Sequence, residues 1–114
     1  MRKAMPRRPT RQYRLIADHG CSPVWQRRGR HWLNVDVPTL GISSSLARQL
    51  SRWVARFEAT YNRRRPEASG FRSAALARAF DEEGQHLAFA LEAELGAARV
   101  AYLLRGDVAR RRRP

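Results

Sequence analysis

The stretch HWLNVDVPTLGISSSLARQLSRWVARFEATY, residues 31–61, changes its period part-way along. From His31 to Val37 apolar and polar side chains alternate. Leu33, Val35 and Val37 point one way and Trp32, Asn34 and Asp36 the other, which is the period of a strand. Pro38 and Gly41 end that strand. From Ile42 the spacing becomes helical: Ile42, Leu46, Leu50, Trp53, Val54, Phe57 and Tyr61 form one apolar stripe. Any of Ser43, Ser44 or Ser45 is placed to cap this helix by accepting an orphan backbone N–H, and Asn62 and Pro66 stop it. A half-buried strand followed by an amphipathic helix must stack its apolar surfaces in layers, which predicts an α+β fold.

Upstream, Gln12–Asp18 alternates with Tyr13, Leu15 and Ala17 on one side. Gly20, Ser22 and Pro23 make a turn, Val24–Gln26 is a short extended piece, and Arg27-Arg28-Gly29-Arg30 forms a hairpin tip. Downstream, a second helix runs from about Ser73 to Leu95 with Leu76, Phe80, Leu87, Leu91 and Leu95 as its stripe. Gly84 sits on its flank, where glycine costs roughly 1 kcal/mol relative to alanine. Close packing against a bulky neighbour such as Trp53 is the expected reason. Gly96 suits the helix C-terminus, and a last strand at Arg99–Leu104 alternates through Val100, Tyr102 and Leu104. The predicted fold is a small, mostly antiparallel sheet of three or four strands with two amphipathic helices packed on one face. Pairing of the first and last strands is expected, which would bring both termini to one end of the sheet.

The chain has 114 residues, 23 Lys and Arg against 10 Asp and Glu, and a formal net charge of +13. That length excludes a multi-domain assembly, and a 43% hydrophobic content is enough for one modest core. One cysteine, Cys21, makes no intrachain disulfide and suits a reducing compartment. The longest mostly apolar stretch, Val37–Ala47, falls far short of the ~20 residues of a spanning helix. No secretory pattern follows the N-terminal arginines, so a cytoplasmic location is expected.

The charge is unevenly placed. Six basic side chains and no acid lie in residues 1–14, and the last ten residues carry five arginines against Asp107. The expected organisation is therefore a basic flexible tail (1–11), a single α+β domain (12–104) and an Arg-rich flexible tail (105–114). Arg48, Arg52 and Arg56 recur every four residues on the far side of the first helix and continue into Arg63, Arg64 and Arg65. The candidate nucleic-acid contacts are Arg7, Arg8, Arg11, Arg14, Arg48, Arg52, Arg56, Arg63, Arg64, Arg110, Arg111, Arg112 and Trp32. Trp32 joins them because aromatic and arginine side chains on an open sheet face stack bases. A second account fits the same residues. A single lysine beside so many arginines and alanines is the codon usage of a GC-rich genome, and the tails are then simply solubilising.

Catalytic and metal chemistry find weaker patterns. His19, Cys21 and His31, with Asp18 or Asp36, lack the second ligand pair of a zinc site. His19 and His31 with Arg27, Arg28 and Arg30 supply the residue types of a metal-independent ribonuclease, at no diagnostic spacing. The serines before the first helix are explained by capping, and no phosphate loop or dinucleotide fingerprint is present. No cofactor and no catalytic residue is predicted, and the balance leans against an enzyme. The second helix is acidic, with Asp81, Glu82, Glu83, Glu92 and Glu94. That acidity fits either self-association as a homodimer or an internal salt-bridge network.

The run Ala17-Asp-His-Gly-Cys-Ser-Pro-Val-Trp25 is followed by Leu50, Trp53, Ser69-Gly-Phe71, Phe80, Gly84 and Glu94-Leu-Gly96. This layout, ADxGCSPxW…SGF…ELG, resembles that of small bacterial single-domain proteins. The resemblance covers about residues 12–104, implies a compact domain, and carries no functional residue across. Taken together, the sequence points first to a small non-catalytic basic domain contacting nucleic acid or another polyanion, with an acidic protein as the other candidate partner and no membrane. The alternative is a protein–protein interaction module of immunity or antitoxin type, and the second alternative is the small ribonuclease.

Overall fold

A computed structural model describes residues 10–104. The expectations for Arg7, Arg8 and Arg110–Arg113, and for flexible tails, therefore lie outside the described residues. In chain order the elements are β1 (Arg11–Ile16), β2 (Val24–Arg28), β3 (His31–Val35), a 3-10 turn (Val37–Leu40), α1 (Ser44–Glu58), a second 3-10 turn (Pro66–Ala68), α2 (Ala74–Leu95) and β4 (Ala98–Leu103). The predicted α+β architecture holds. The sheet order is β3-β2-β1-β4, with β2 antiparallel to both neighbours and β4 parallel to β1.

That parallel pair corrects the expectation for the termini. Arg11 pairs with Ala98 and Ile16 with Leu103, so β1 and β4 run the same way and the chain enters and leaves at opposite ends of the sheet. The cause is where α2 finishes. Its last carbonyl, on Leu95, accepts a hydrogen bond from Arg11 Nη2 (2.7 Å), and Arg11 N–H donates to the Ala97 carbonyl (3.1 Å). The chain thus turns at Gly96 (φ 82°) directly beside the start of β1, and β4 can only run along it.

Both helices cover one face. Tyr13, Leu15, Val24, Ala98 and Val100 form the sheet's side of the core, and Leu46, Leu50, Trp53, Phe80, Leu87 and Leu91 form the helices' side. Trp53 is fully enclosed; it stacks on Phe80 at 4.6 Å and donates its indole N–H to the Phe80 carbonyl (3.1 Å). Gly84 is where α2 approaches closest. A Cβ there would lie 2.6 Å from Tyr102 Cζ and 2.9 Å from Trp53 Cζ2, so the expected packing reason is the observed one, with Tyr102 added.

Three expectations change in detail. Leu33 does lie on the helix-facing side, in register with Gln26, yet it is 50% exposed because α2 lies over β4 and β1 and leaves the tip end of the β2–β3 hairpin uncovered. The first helix ends at Glu58 rather than at Asn62, since Thr60 bonds the Phe57 carbonyl with both its N–H and its hydroxyl and tightens the last turn. Tyr61 accordingly leaves the stripe. Leu76, in the first turn of α2, extends past the core and is half exposed.

Candidate interaction surface

Most of the polar residues in the motif runs hold the fold together. In the loop after β1, the Asp18 carboxylate accepts the His19 N–H (2.8 Å), and Gly20 takes a left-handed φ of 77°. The Gly20 N–H then donates to Glu58 at the end of α1 (3.1 Å), and His19 Nδ1 meets the other Glu58 oxygen at 3.1 Å while its ring stacks on Phe57. These bonds, the Gly20 amide's first, hold the Glu58 carboxyl below its usual range. The Cys21 thiol is pushed up, chiefly by burial and then by the Glu58 charge, so it is a protonated structural group. Ser22 donates its hydroxyl to the Val35 carbonyl (2.6 Å), and the Asn34 amide holds Ser22 N–H, Ser22 C=O and Val24 C=O together. The other two motifs behave likewise. Ser69 accepts the Asn62 N–H (2.8 Å), Gly70 N–H donates to the Thr60 carbonyl (3.1 Å), and Phe71 packs on Phe80. Glu94 accepts both the N–H and the hydroxyl of Ser43 (2.6 and 2.7 Å), which holds its carboxyl low and ties the α1 N-cap to the end of α2.

The acidic helix is internally engaged. Glu83 pairs with Arg56, Asp81 accepts the Tyr102 hydroxyl (2.5 Å), Glu92 accepts the Val100 N–H (2.9 Å), and Glu94 holds Ser43. Of the expected salt bridges from the arginine ridge to this helix, the Arg56–Glu83 pair is the one seen among the described residues, and Glu82 is exposed. The arginine ridge is correspondingly divided: Arg48 and Arg52 are exposed on α1, Arg56 belongs to Glu83, and Arg63 and Arg64 lie in the loop after α1. Arg11 caps α2 and contacts the Tyr13 hydroxyl (3.3 Å).

Histidine chemistry is not assembled. His19 lies in the β1–β2 loop and His31 at the hairpin tip, separated by the length of β2, about 17 Å for a strand of this size. They share no site, and among the described residues no group of three or more His, Cys, Asp or Glu is placed to hold a metal.

The other large surface is the face of the sheet away from the helices, where Arg27 donates to the Gln12 side-chain oxygen (3.2 Å) and the Gly29 carbonyl (3.0 Å). Here the register sets Arg14 beside Trp25 and Trp25 beside Asn34 in one row, with Arg99 beside Gln12 and Arg27 beside Trp32 in the next. The Arg14 guanidinium sits 4.0 Å from the centroid of the Trp32 ring, a cation–π contact. Trp25 and Trp32 are half-buried, while Arg27 and Arg99 are exposed. Trp25 Nε1 finds no hydrogen-bond partner among the described residues. No strand of the sheet contains an Asp or Glu. On the helix side of the same hairpin lies an open groove of about 950 Å³, floored by Tyr13, Gln26 and Leu33 and bordered by Arg28, Asp36 and Thr39.

A protein-family model, Serratia CdiI immunity protein-like, matches residues 11–104, from the first residue of β1 to just past β4. The chain belongs to that family. No curated protein matches it. In this CdiI immunity protein-like chain the match covers the whole described sheet and both helices, much the same span as the resemblance seen in the sequence.

The family frame separates what sequence reasoning found from what it missed. The sequence places Trp32 on the open face near Arg14 or Arg99, and in the structure it is Arg14 that stacks on its ring. Trp25 and Arg27 were missed as members of the same face. The signal was available for Trp25: Val24 and Trp25 are consecutive in a strand, so a buried Val24 sends Trp25 outward. The choice of Arg14 over Arg99 needed the register between strands, which no local pattern carries.

Proposed function

We propose that the chain is a protein-interaction module of immunity type, which binds a protein toxin and holds it inactive. The observation that carries this reading is the family match across every strand and helix of the fold. The distribution of polar groups supports it. Motif residues such as Ser22, Asn34, Glu58 and Glu94 brace loops and helix ends, which suits a rigid scaffold presenting a preformed surface. The family match favours this alternative over the polyanion reading, whose weight lay on arginine runs outside the described residues and on a ridge that shares Arg56 with Glu83. No helix among the described residues is long and apolar enough to cross a membrane.

The test is co-expression of the full chain with the toxin encoded beside its gene. A stoichiometric complex is expected to persist in about 1 M salt, where charge interactions are screened within roughly 3 Å, and toxin activity is expected to be suppressed in it. A chain that leaves the toxin active and elutes apart from it overturns the proposal.

A further inference from the structure

We infer that the toxin docks on the open face of the sheet, and that it presents there an acidic polypeptide segment, with carboxylates for Arg27 and Arg99 and an apolar or aromatic group against Trp25 and Trp32. This rests on the immunity-module reading and names its surface and the chemistry of the partner.

The face carries Arg14, Arg27 and Arg99 with two indoles, on four hydrogen-bonded strands that contain no acid. Interfaces favour this composition, since arginine and tryptophan are the residues that most often anchor a bound partner. Arg14, stacked on the Trp32 ring at 4.0 Å, holds that ring in place before any partner arrives, which lowers the entropy cost of packing an apolar group against it.

Three other occupants fit worse. The sequence on either side of the described residues, with Arg7, Arg8 and Arg110–Arg113, has the same sign as the face and does not complement it. A second copy docked face to face sets arginine against arginine. A second copy docked through its acidic helix would share carboxylates already engaged with Tyr102, Arg56, Val100 and Ser43, with exposed Glu82 as the remaining acid of that helix. The groove on the helix side is the weaker docking site, because Asp36 lies among its arginines and one of these, Arg11, already holds the Leu95 carbonyl.

The experiment measures affinity of the full chain for the toxin encoded beside its gene, by titration calorimetry in about 0.15 M salt. The variants are the double reversal Arg27→Glu/Arg99→Glu, the charge-keeping Arg27→Lys/Arg99→Lys, and Trp32→Ala, with Arg52→Glu on α1 as control. Both arginines of the double variant are exposed, so it is expected to keep the wild-type melting temperature. Affinity is expected to fall about tenfold or more in the double reversal and in Trp32→Ala, and to stay within about threefold in the lysine pair and the control.

A complex that forms with wild-type affinity in the double reversal overturns the docking surface and leaves the immunity module standing. A wild-type chain that binds no toxin overturns both. If instead the double reversal converts a self-associated wild type to monomer in sedimentation, or abolishes tight binding of labelled RNA or duplex DNA that the toxin cannot displace, the face serves another occupant and the inference fails.

Discussion

Gly84 shows how one missing methyl decides the sign of a substitution. Helix propensity alone makes Gly84→Ala stabilising by up to ~1 kcal/mol in the middle of α2. The tertiary contacts reverse this. The new Cβ would meet the Tyr102 ring and Trp53, and Tyr102 can retreat only by breaking its hydrogen bond to Asp81. Overpacking of this kind costs ~1–3 kcal/mol, so Gly84→Ala is expected to destabilise the protein, lowering the urea midpoint with an unchanged slope. In a Tyr102→Ala background the Trp53 contact at 2.9 Å remains while the two closer ones are gone, so Gly84→Ala is then expected to be less destabilising than in the wild type. Equal effects in both backgrounds would show that Tyr102 is not the obstacle. A mid-helix glycine in the sequence announced a close approach, while the identity of the second ring came only from the register of β4.

At the scale of elements, two carboxylates fasten helix ends to distant parts of the chain. Glu58 joins the end of α1 to the β1–β2 loop, and Glu94 joins the end of α2 to the N-cap of α1. Both carboxyls titrate below their ordinary range, held there by the Gly20 and His19 bonds and by the two Ser43 bonds respectively. A carboxylate depressed in the folded state contributes stability that is present above its unfolded pKa and lost as pH falls through the lowered folded value. The protein is therefore expected to lose stability on acidification below about pH 4, with the loss reduced in Glu58→Gln and Glu94→Gln. Chemical denaturation at a series of pH values checks this, and an unaltered acid limb in both variants would contradict it. Ser43→Ala removes the α1 cap and the hydroxyl's bond to Glu94 while keeping the backbone N–H bond, at a cost of about 1 kcal/mol from the cap alone. The sequence narrowed the cap to three serines. It did not show that Ser43 also binds Glu94, because that bond spans a helix–helix connection and two further elements.

Across the whole molecule, stability is expected to be graded. β3 and β4 are both edge strands, but α2 covers the core side of β4 whereas the β2–β3 hairpin has an uncovered end at Leu33. Hydrogen exchange at the amides of His31–Val35 is therefore expected to be faster than at Tyr13–Ile16 and Val100–Leu103, and uniform protection across the four strands would refute this gradient. On toxin binding the hairpin should gain protection, as its outer face carries Trp25, Arg27 and Trp32. The sequence by itself determined the element order, the two helical stripes, the buried side of β1, β3 and β4, and the position of Trp32 opposite the core. These follow from period and capping, which act within a few residues and are written locally. Tertiary structure alone decided the direction of β4 against β1, the engagement of the acidic helix with its own fold, the separation of His19 from His31, and the gathering of Arg14, Arg27, Arg99 and both tryptophans on one face. Each depends on which strands become neighbours and in what register, and that is settled by burying all the stripes at once around Trp53.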